Sequence, residues 1–203
     1  MNTSIPTIGI AGGIGSGKST IATFFQELGC IVSNADEDVH VLLQTEDIRD
    51  QLVGWWGNTI LHSDGSINRK AVSTLVFNDD LKRRQLESLL HPLVREAQVE
   101  KFASATQETK ALIIDAPLLF ESGLDKCCDA IVFVEVSPET RQKRVLQRRG
   151  WTTEEFSRRE IAQLPLDMKQ KKADYIVINE SDPENAQRQV EQILEDIRTR
   201  QLK

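Results

Sequence analysis

Short apolar segments alternate along the chain with longer stretches in which apolar and polar residues recur at helical spacing. The apolar segments are continuous and rich in β-branched residues, and they occupy positions 7–11, 31–33, 111–114, 130–136 and 175–178. Continuous apolar runs are typical of strands that are covered on both faces, and intervening helices imply right-handed crossovers between parallel strands. The pattern therefore predicts an α/β layer fold around a parallel five-stranded sheet.

The stretches between these strands predict helices, several of which carry start signals. Pro92 and Pro138 stand where a first helical turn accepts proline, and Thr152 precedes two glutamates as at a capped helix start. The predicted helices cover 18–28, 47–55, 69–77, 79–90, 92–107, 138–149, 153–164 and 183–199.

Two connections are longer than one crossover helix needs. The first predicts a helical insertion at about 37–108, within a single domain that covers 1–203. The second, at about 138–172, contains two predicted helices that meet at a turn at Gly150. This arrangement is typical of a lid.

Charge narrows the possible partners. The 203 residues include 25 basic and 31 acidic side chains, a net charge of −6, which disfavours broad attraction to nucleic acid or to an anionic membrane. An anionic ligand must therefore be held locally, and basic residues are concentrated in one predicted lid segment, at Arg141, Lys143, Arg144, Arg148, Arg149, Arg158 and Arg159.

Location is inferred from what the sequence lacks. Residues 1–4 include no basic residue of the kind that precedes a secretory signal, and no apolar run approaches the length of a membrane span. The three cysteines lack metal-ligand spacing and favour a reducing compartment. These features predict a cytoplasmic protein. We expect a monomer, with an oligomer as the alternative.

The most specific motif lies directly after the first predicted strand. Residues 12–19 read Gly-Gly-Ile-Gly-Ser-Gly-Lys-Ser, which matches the G-x-x-x-x-G-K-[ST] phosphate loop. In such a loop the backbone N–H groups surround a polyphosphate at a helix N-terminus. Lys18 would reach the β- and γ-phosphates and the Ser19 hydroxyl would coordinate Mg²⁺. The predicted ligands are thus Mg²⁺ and a nucleoside triphosphate, ATP in a kinase or motor and GTP in a GTPase. The predicted nucleotide contacts come from Gly13, Ile14, Gly15, Ser16, Gly17, Lys18, Ser19 and Thr20.

Two aspartates end predicted strands, where ligands gather in open α/β sheets. Asp36 would orient or deprotonate an acceptor hydroxyl, or instead cap a helix over 37–43. Asp115 would support Mg²⁺, or instead form a turn before Pro117.

Three arginines of the predicted lid, Arg141, Arg144 and Arg148, share one helical face. One or two of them would stabilise the charge of a transferring phosphoryl group, while a solvated charged helix is the alternative. His91 is a single histidine among leucines, for which a structural role is the more usual interpretation.

Together the motifs resemble the dephospho-CoA kinase family over nearly the whole chain. Beside the phosphate loop, the resemblance rests on short elements in the family's order. These are Asn34-Ala35-Asp36, Ile67 to Ala71, Leu90-His91-Pro92-Leu93, Asp115 to Glu121, Val136 to Arg148 with Gln163 and Pro165, and Ala173 to Asn179.

The resemblance implies transfer of the ATP γ-phosphoryl group to the ribose 3′-hydroxyl of dephospho-CoA, with Mg²⁺, in the last step of coenzyme A synthesis. It implies a three-layer α/β/α nucleotide kinase fold with a helical acceptor-binding insertion and a lid. It places Asp36 at the 3′-hydroxyl and Arg69, His91 and Pro92 on the acceptor side, while Arg144 acts catalytically from the lid and Arg148 binds nucleotide.

The chain departs from that family's pattern at three positions. Asn34 replaces an aspartate, His40 stands where an arginine is usual, and Glu180 follows Asn179 where glycine is usual. The first change removes a charge beside the acceptor, and the last leaves adenine contacts by this loop open.

Overall fold

A parallel five-stranded sheet is the centre of the structure, a computed structural model that describes residues 5–201. The strands are β1 Thr7–Gly12, β2 Ile31–Asn34, β3 Leu112–Asp115, β4 Ala130–Glu135 and β5 Tyr175–Ile178, and their order across the sheet is β2-β3-β1-β4-β5. All pairs are parallel, with Ile8 of β1 in register with Ile113 and Ala130. The predicted sheet is confirmed. Residues 1–4, on which the absence of a targeting signal was predicted, lie outside the described part.

The chain divides into two compact units. The larger comprises the chain up to Asn34 and from Ser104 onward, and includes the sheet with α1 Lys18–Glu27, α6 Pro138–Arg149, α7 Thr153–Ile161, α8 Leu166–Lys171 and α9 Pro183–Gln201. The smaller covers Ala35–Ala103 and includes α2 Ala35–Leu42, α3 Glu46–Trp56, α4 Arg69–Phe77 and α5 Asp80–Ala103. Short 3₁₀ helices lie at Asn58–Ile60 and Leu124–Cys127.

Both faces of the sheet are buried, as the continuous apolar strands predict. On one face Ile8, Ile10 and Val132 are fully buried in a cluster with Phe25 of α1 and Val190 of α9. On the other face the sheet is packed so closely that a Cβ atom on Gly9 would lie 2.8 Å from Leu119 Cδ2. Glycine at this position therefore allows the segment after β3 to lie against β1.

The smaller unit has an apolar core of its own. Its buried members come from α3, α4, α5 and the segments beside them: Leu43, Ile48, Leu52, Ile60, Ile67, Val72 and Leu90. Trp55 and Trp56 pack partly buried against this core. Both α2 and α4 pack on α5, so the elements that carry the predicted acceptor residues belong to one packed unit.

The helix boundaries require three corrections. The helix α5 ends at Ala103, four residues before the predicted end at 107. Residues 79–90 and 92–107 were predicted as separate helices, but α5 runs unbroken through Pro92. An interior proline forgoes a backbone hydrogen bond, and apolar packing of Leu86, Leu89 and Leu93 on both sides of it offsets that loss. The helix α7 ends at Ile161, three residues before the predicted end at 164.

Two short helices were not predicted as elements of the fold. The helix α2 buries none of its residues, and α8 has six residues. The predicted starts of α6 and α7 are confirmed, because the side chains of Ser137 and Thr152 accept hydrogen bonds from Thr140 N–H and Glu155 N–H.

Candidate active site

The phosphate loop connects β1 to α1 and depends on glycine at two tight positions. Gly15 has φ +79°, and a Cβ atom there would lie 2.6 Å from the backbone carbonyl of Arg141. Gly17 has φ +82° at the start of α1, and its Cβ would lie 2.4 Å from Asn179 Nδ2. Side chains at either position would separate the loop from the elements that support it.

Lys18, Ser19 and Thr20 form the first turn of α1. The Lys18 ammonium donates to the carbonyls of Gly12 at 3.1 Å and Gly13 at 3.3 Å, which holds it over the loop. The Ser19 side chain is exposed, and Thr20 N–H donates to the Gly17 carbonyl at 3.0 Å. A cation and a hydroxyl therefore lie at a helix N-terminus, where an anion is favoured.

Ser16 is an unpaired polar group within the loop. Its side chain is fully buried, and among the described residues its hydroxyl has no hydrogen-bond partner. Buried polar groups are rarely left unpaired. Together with Lys18 and the helix N-terminus, this hydroxyl fits a polyphosphate, which offers several acceptor oxygens.

Arg144 and Asn179 support the loop from outside. Asn179 Nδ2 donates to the Ser16 carbonyl at 2.8 Å, and the Arg144 guanidinium lies 3.5 Å from the same oxygen. Arg144 also donates to the carbonyls of Asn179, at 2.9 Å, and Glu180. In a trans peptide the next N–H points opposite to the carbonyl, so these contacts direct the Gly17 N–H away from the supporting side chains.

The sequence did not predict that Asn179 or Glu180 supports the phosphate loop. Asn179 follows β5 directly, and its backbone N–H donates to the Glu135 carbonyl at the end of β4. The Glu180 carboxylate accepts the Ser137 N–H at 2.5 Å, and this bond, with help from Thr140, lowers the pKa of Glu180 below its ordinary value. The position of Asn179 directly after a strand could have indicated this role, because the carboxyl ends of parallel strands lie at one edge of a sheet.

Asp115 lies at that same edge. It ends β3, is 5% exposed, and is in register with Ile10 on the neighbouring strand, two residues before the loop begins. Asn34 Nδ2, at the end of β2, donates to its carboxylate at 3.0 Å. A buried carboxylate beside a phosphate loop suits a hard cation that also takes phosphate oxygens.

The described residues include no cluster of three or more histidine, cysteine or acidic side chains that would hold a metal by itself. A site that draws on Ser19 and Asp115 would therefore be completed by phosphate and water oxygens, as Mg²⁺ sites usually are.

The three arginines predicted on one face have different surroundings. Arg141 is 4% exposed and forms an ion pair with Glu160 of α7. Arg144 is half-buried against the loop, and Arg148 is exposed near the end of α6. The solvated-helix alternative is therefore wrong for Arg141 and Arg144, while Arg148 alone has the exposure that it describes.

A second buried ion pair lies beside α8. Lys169 is 2% exposed and donates to the Glu121 carboxylate at 2.8 Å, while the Leu164 N–H donates to the same carboxylate at 2.9 Å. Burial alone would raise the pKa of Glu121, but these hydrogen bonds outweigh it and lower the pKa below its ordinary value of 4.5. The pair ties the segment after β3 to the predicted lid. The sequence assigned no role to Lys169.

The predicted acceptor residues all belong to the smaller unit. Asp36 is the second residue of α2, which begins immediately after β2, and its side chain is exposed. The alternative in which Asp36 caps a helix over 37–43 is wrong, because the helix begins one residue before it. His91 and Pro92 are exposed near the middle of α5. His91 is therefore not enclosed by the leucines that flank it in the sequence.

Arg69 begins α4 and donates to His40 Nδ1 at 3.0 Å. Because arginine can only donate, this nitrogen of His40 accepts. Gln44 lies 3.1 Å from the other ring nitrogen. His40, which replaces the arginine expected from the family pattern, thus contacts a predicted acceptor residue at the surface.

Within the part of the chain that the structure describes, no helix has the length and apolar character that crossing a membrane requires.

Known proteins resemble this chain over most of its length. A sequence model of the dephospho-CoA kinase family matches residues 6–185. A dephospho-CoA kinase of Geobacillus kaustophilus is 40% identical over 190 residues, which cover 93% of this chain and 94% of the relative.

Two solved structures share the fold. One, from Thermus thermophilus, has a TM-score of 0.82 and 30% identity, and the match covers 95% of this chain and 98% of that one. The other, a dephospho-CoA kinase from Campylobacter jejuni, has a TM-score of 0.63 and 23% identity, with 95% and 97% covered.

Proposed function

The chain belongs to the dephospho-CoA kinase family, and from this premise we propose that it transfers the γ-phosphoryl group of ATP to the ribose 3′-hydroxyl of dephospho-CoA. The products are CoA and ADP, and the reaction is the last step of CoA biosynthesis. The observation that carries the proposal is the family match over residues 6–185, which includes both the supported phosphate loop and the helical unit.

On the nucleotide side, residues 13–20 would bind the phosphates through backbone N–H groups. Lys18 would balance charge at the β- and γ-phosphates, where the leaving group forms. Ser19 and Asp115 would hold Mg²⁺, which when bound neutralises charge on the same phosphates. Arg144 would act beside the transferring group from α6, and Arg148 would join it from the end of the same helix.

On the acceptor side, Asp36 would hydrogen-bond the 3′-hydroxyl and accept its proton as the oxygen–phosphorus bond forms and the bond to ADP breaks. Arg69, His91 and Pro92 would position the acceptor. The exposure of Asp36 at the carboxyl end of β2 supports this role, because a base must be accessible to the hydroxyl that it serves.

We also propose that the protein is a cytoplasmic monomer. The free thiols of Cys30, Cys127 and Cys128 are compatible with a reducing compartment and support this proposal. Burial raises the pKa of Cys30 to about 11 and of Cys128 to about 12, which leaves these two thiols protonated and unreactive at neutral pH.

An acceptor screen tests the proposed reaction. Release of ADP from Mg²⁺–ATP is followed with dephospho-CoA, with nucleoside monophosphates and with no acceptor, and GTP replaces ATP in a parallel series. We expect rapid ADP release with dephospho-CoA alone and a phosphorylated 3′-hydroxyl in the product. The Lys18→Ala protein is the control, because it lacks the charge at the β,γ-bridge while its fold is retained. Preference for a nucleoside monophosphate or for GTP would contradict the proposal.

A further inference from the structure

Arg141 contacts the phosphate loop with both its backbone and its side chain. Its carbonyl oxygen lies 2.6 Å from where a Cβ atom on Gly15 would be, and its Nη1 lies 2.9 Å from where one on Gly13 would be. The same Nη1 is 3.4 Å from the Ile14 carbonyl oxygen, to which it donates. One residue of α6 therefore touches three consecutive residues of the loop.

The other contacts of Arg141 lead to α7. Its Nη1 forms the ion pair with Glu160, and its guanidinium lies 5.8 Å from the ring centroid of Phe156. Glu160 is one-third exposed, whereas Arg141 is 4% exposed. The guanidinium is thus enclosed between the loop and α7, and its charge is already balanced.

The contact with Ile14 has a consequence for the next peptide group. In a trans peptide the carbonyl and the following N–H point in opposite directions. Holding the Ile14 carbonyl toward Arg141 therefore directs the Gly15 N–H away from it. Gly15, with φ +79°, has no side chain that would otherwise fix this orientation.

Stability alone does not account for this arrangement. A buried ion pair is weak evidence for stability, because apolar side chains of similar volume often replace one without loss. What apolar side chains do not supply is a hydrogen-bond donor to the Ile14 carbonyl.

We infer that Arg141 is a positioning residue for ATP. It fixes the orientation of the Gly15 N–H through the Ile14 carbonyl, and Glu160 fixes Arg141 in turn. It does not contact the transferring phosphoryl group itself. The assignment of ATP as the ligand rests on the proposed function.

The test separates loop orientation from folding. Arg141→Met keeps the aliphatic volume but leaves Glu160 unpaired, so we expect lower stability and an ATP dissociation constant raised about tenfold, the scale of one charge-assisted hydrogen bond. Arg141→Met combined with Glu160→Leu removes the unpaired charge. We expect this double variant to recover stability while ATP binding stays about tenfold weak.

ATP binding is measured by titration calorimetry without acceptor, and stability by chemical unfolding. Val190→Ala in α9 is the destabilised control, since it opens a cavity in the core and leaves Arg141 intact. A folded double variant that binds ATP within twofold of wild type would overturn the inference. So would a loss of ATP affinity in Arg141→Met no larger than in Val190→Ala. If Arg141→Met does not fold, the double variant decides alone.

Failure of the proposed reaction gives a different result. A wild-type protein that binds ATP but does not phosphorylate dephospho-CoA contradicts the proposed reaction. In that case the calorimetry still tests the effect of Arg141 on ATP binding. A wild-type protein that does not bind ATP overturns both.

Discussion

At the scale of single residues, the candidate site contains accessible side chains that can contact substrates and buried side chains that support the phosphate loop. Some are accessible and available to substrates, as Asp36, Ser19 and Arg148 are. Others, such as Arg141 and Asn179, are buried and donate hydrogen bonds to backbone carbonyls of the phosphate loop. Substitution of Asp36 should affect chemistry, whereas substitution of Arg141 or Asn179 should affect nucleotide affinity.

Asp36→Asn tests the first group. The change removes the base but keeps the size of the side chain, so kcat should fall by about 10²-fold or more while the dissociation constant of ATP stays unchanged. Steady-state kinetics and equilibrium binding measure the two quantities. Glu37→Gln is the control, because it removes the same charge from the same helical turn and should leave kcat within about twofold. Turnover within a few-fold of wild type in Asp36→Asn would remove Asp36 from the chemistry.

Arg144→Ala and Arg148→Ala should differ from each other. Arg144 donates to three backbone carbonyls around the loop, so its loss should raise the ATP dissociation constant about tenfold and also lower kcat. Arg148 is exposed, so Arg148→Ala should lower kcat by about 10²-fold and weaken ATP binding less than Arg144→Ala does. Arg198→Ala, on the exposed side of α9, controls for lost surface charge. Equal, negligible effects at all three positions would show that α6 plays no part in transfer.

At the scale of elements, two ion pairs with buried cations connect the helices of the predicted lid with each other and with the segment after β3. Arg141 and Glu160 connect α6 with α7, while Lys169 of α8 and Glu121 connect α8 with the segment after β3. Losing the cation of such a pair costs more than the pair contributes, because the remaining carboxylate is only partly hydrated.

Lys169→Met should lower the free energy of unfolding by about 1–3 kcal/mol. Glu121 is left without its ammonium donor, and the one-fifth of its side chain that is exposed allows only partial hydration. Urea unfolding at pH 7 measures the loss. Lys171→Met is the matched control in the same helix, because its ion pair with Asp167 is exposed and should cost at most about 0.5 kcal/mol. Equal losses in the two variants would contradict a special role for the buried pair.

The ion pair between Lys169 and Glu121 predicts that stability depends on pH. Because folding lowers the pKa of Glu121, its contribution to stability is complete above the ordinary value of 4.5 and is lost as the pH falls through the lower folded-state pKa. The stability gap between wild type and Lys169→Met should therefore be constant from pH 7 down to about 5.5 and narrow below about 4.5. Unfolding curves for both proteins across this range measure the gap. A gap that stays constant at low pH would show that Glu121 is not the group involved.

At the scale of the whole molecule, the predicted binding residues divide between the two compact units. The nucleotide residues at 13–20, 144 and 148 belong to the larger unit, and Asp36, Arg69, His91 and Pro92 belong to the smaller one. The two substrates should thus slow amide hydrogen exchange in different parts of the chain.

Hydrogen exchange followed by mass spectrometry measures which segments each substrate protects. ATP with Mg²⁺ should slow amide exchange in the phosphate loop, at the start of α1 and around Asn179, since ligand binding suppresses local opening. Dephospho-CoA alone should slow exchange in α2, at the start of α4 and near His91. The Lys18→Ala protein should lose the protection by ATP and keep the protection by dephospho-CoA. Dephospho-CoA protection confined to the larger unit would contradict the acceptor assignment.

Local signals in the sequence determined the sheet, the phosphate loop and most helix starts. Five apolar runs predicted the strands, and spacing within residues 12–19 predicted the loop, because strand burial and glycine conformation leave marks on neighbouring residues. The interior Pro92 shows the limit of such signals, since packing on both sides of it continued a helix that local propensity would end.

Only the tertiary structure decided which side chains support the site. Arg141, Arg144 and Arg148 look alike on one helical face, yet one is buried against Glu160, one holds the loop and Asn179, and one is exposed. Lys169 meets Glu121 across 48 positions of sequence. These pairings depend on which elements meet across the fold, and no pattern of neighbouring residues records the distance between two side chains that are remote along the chain.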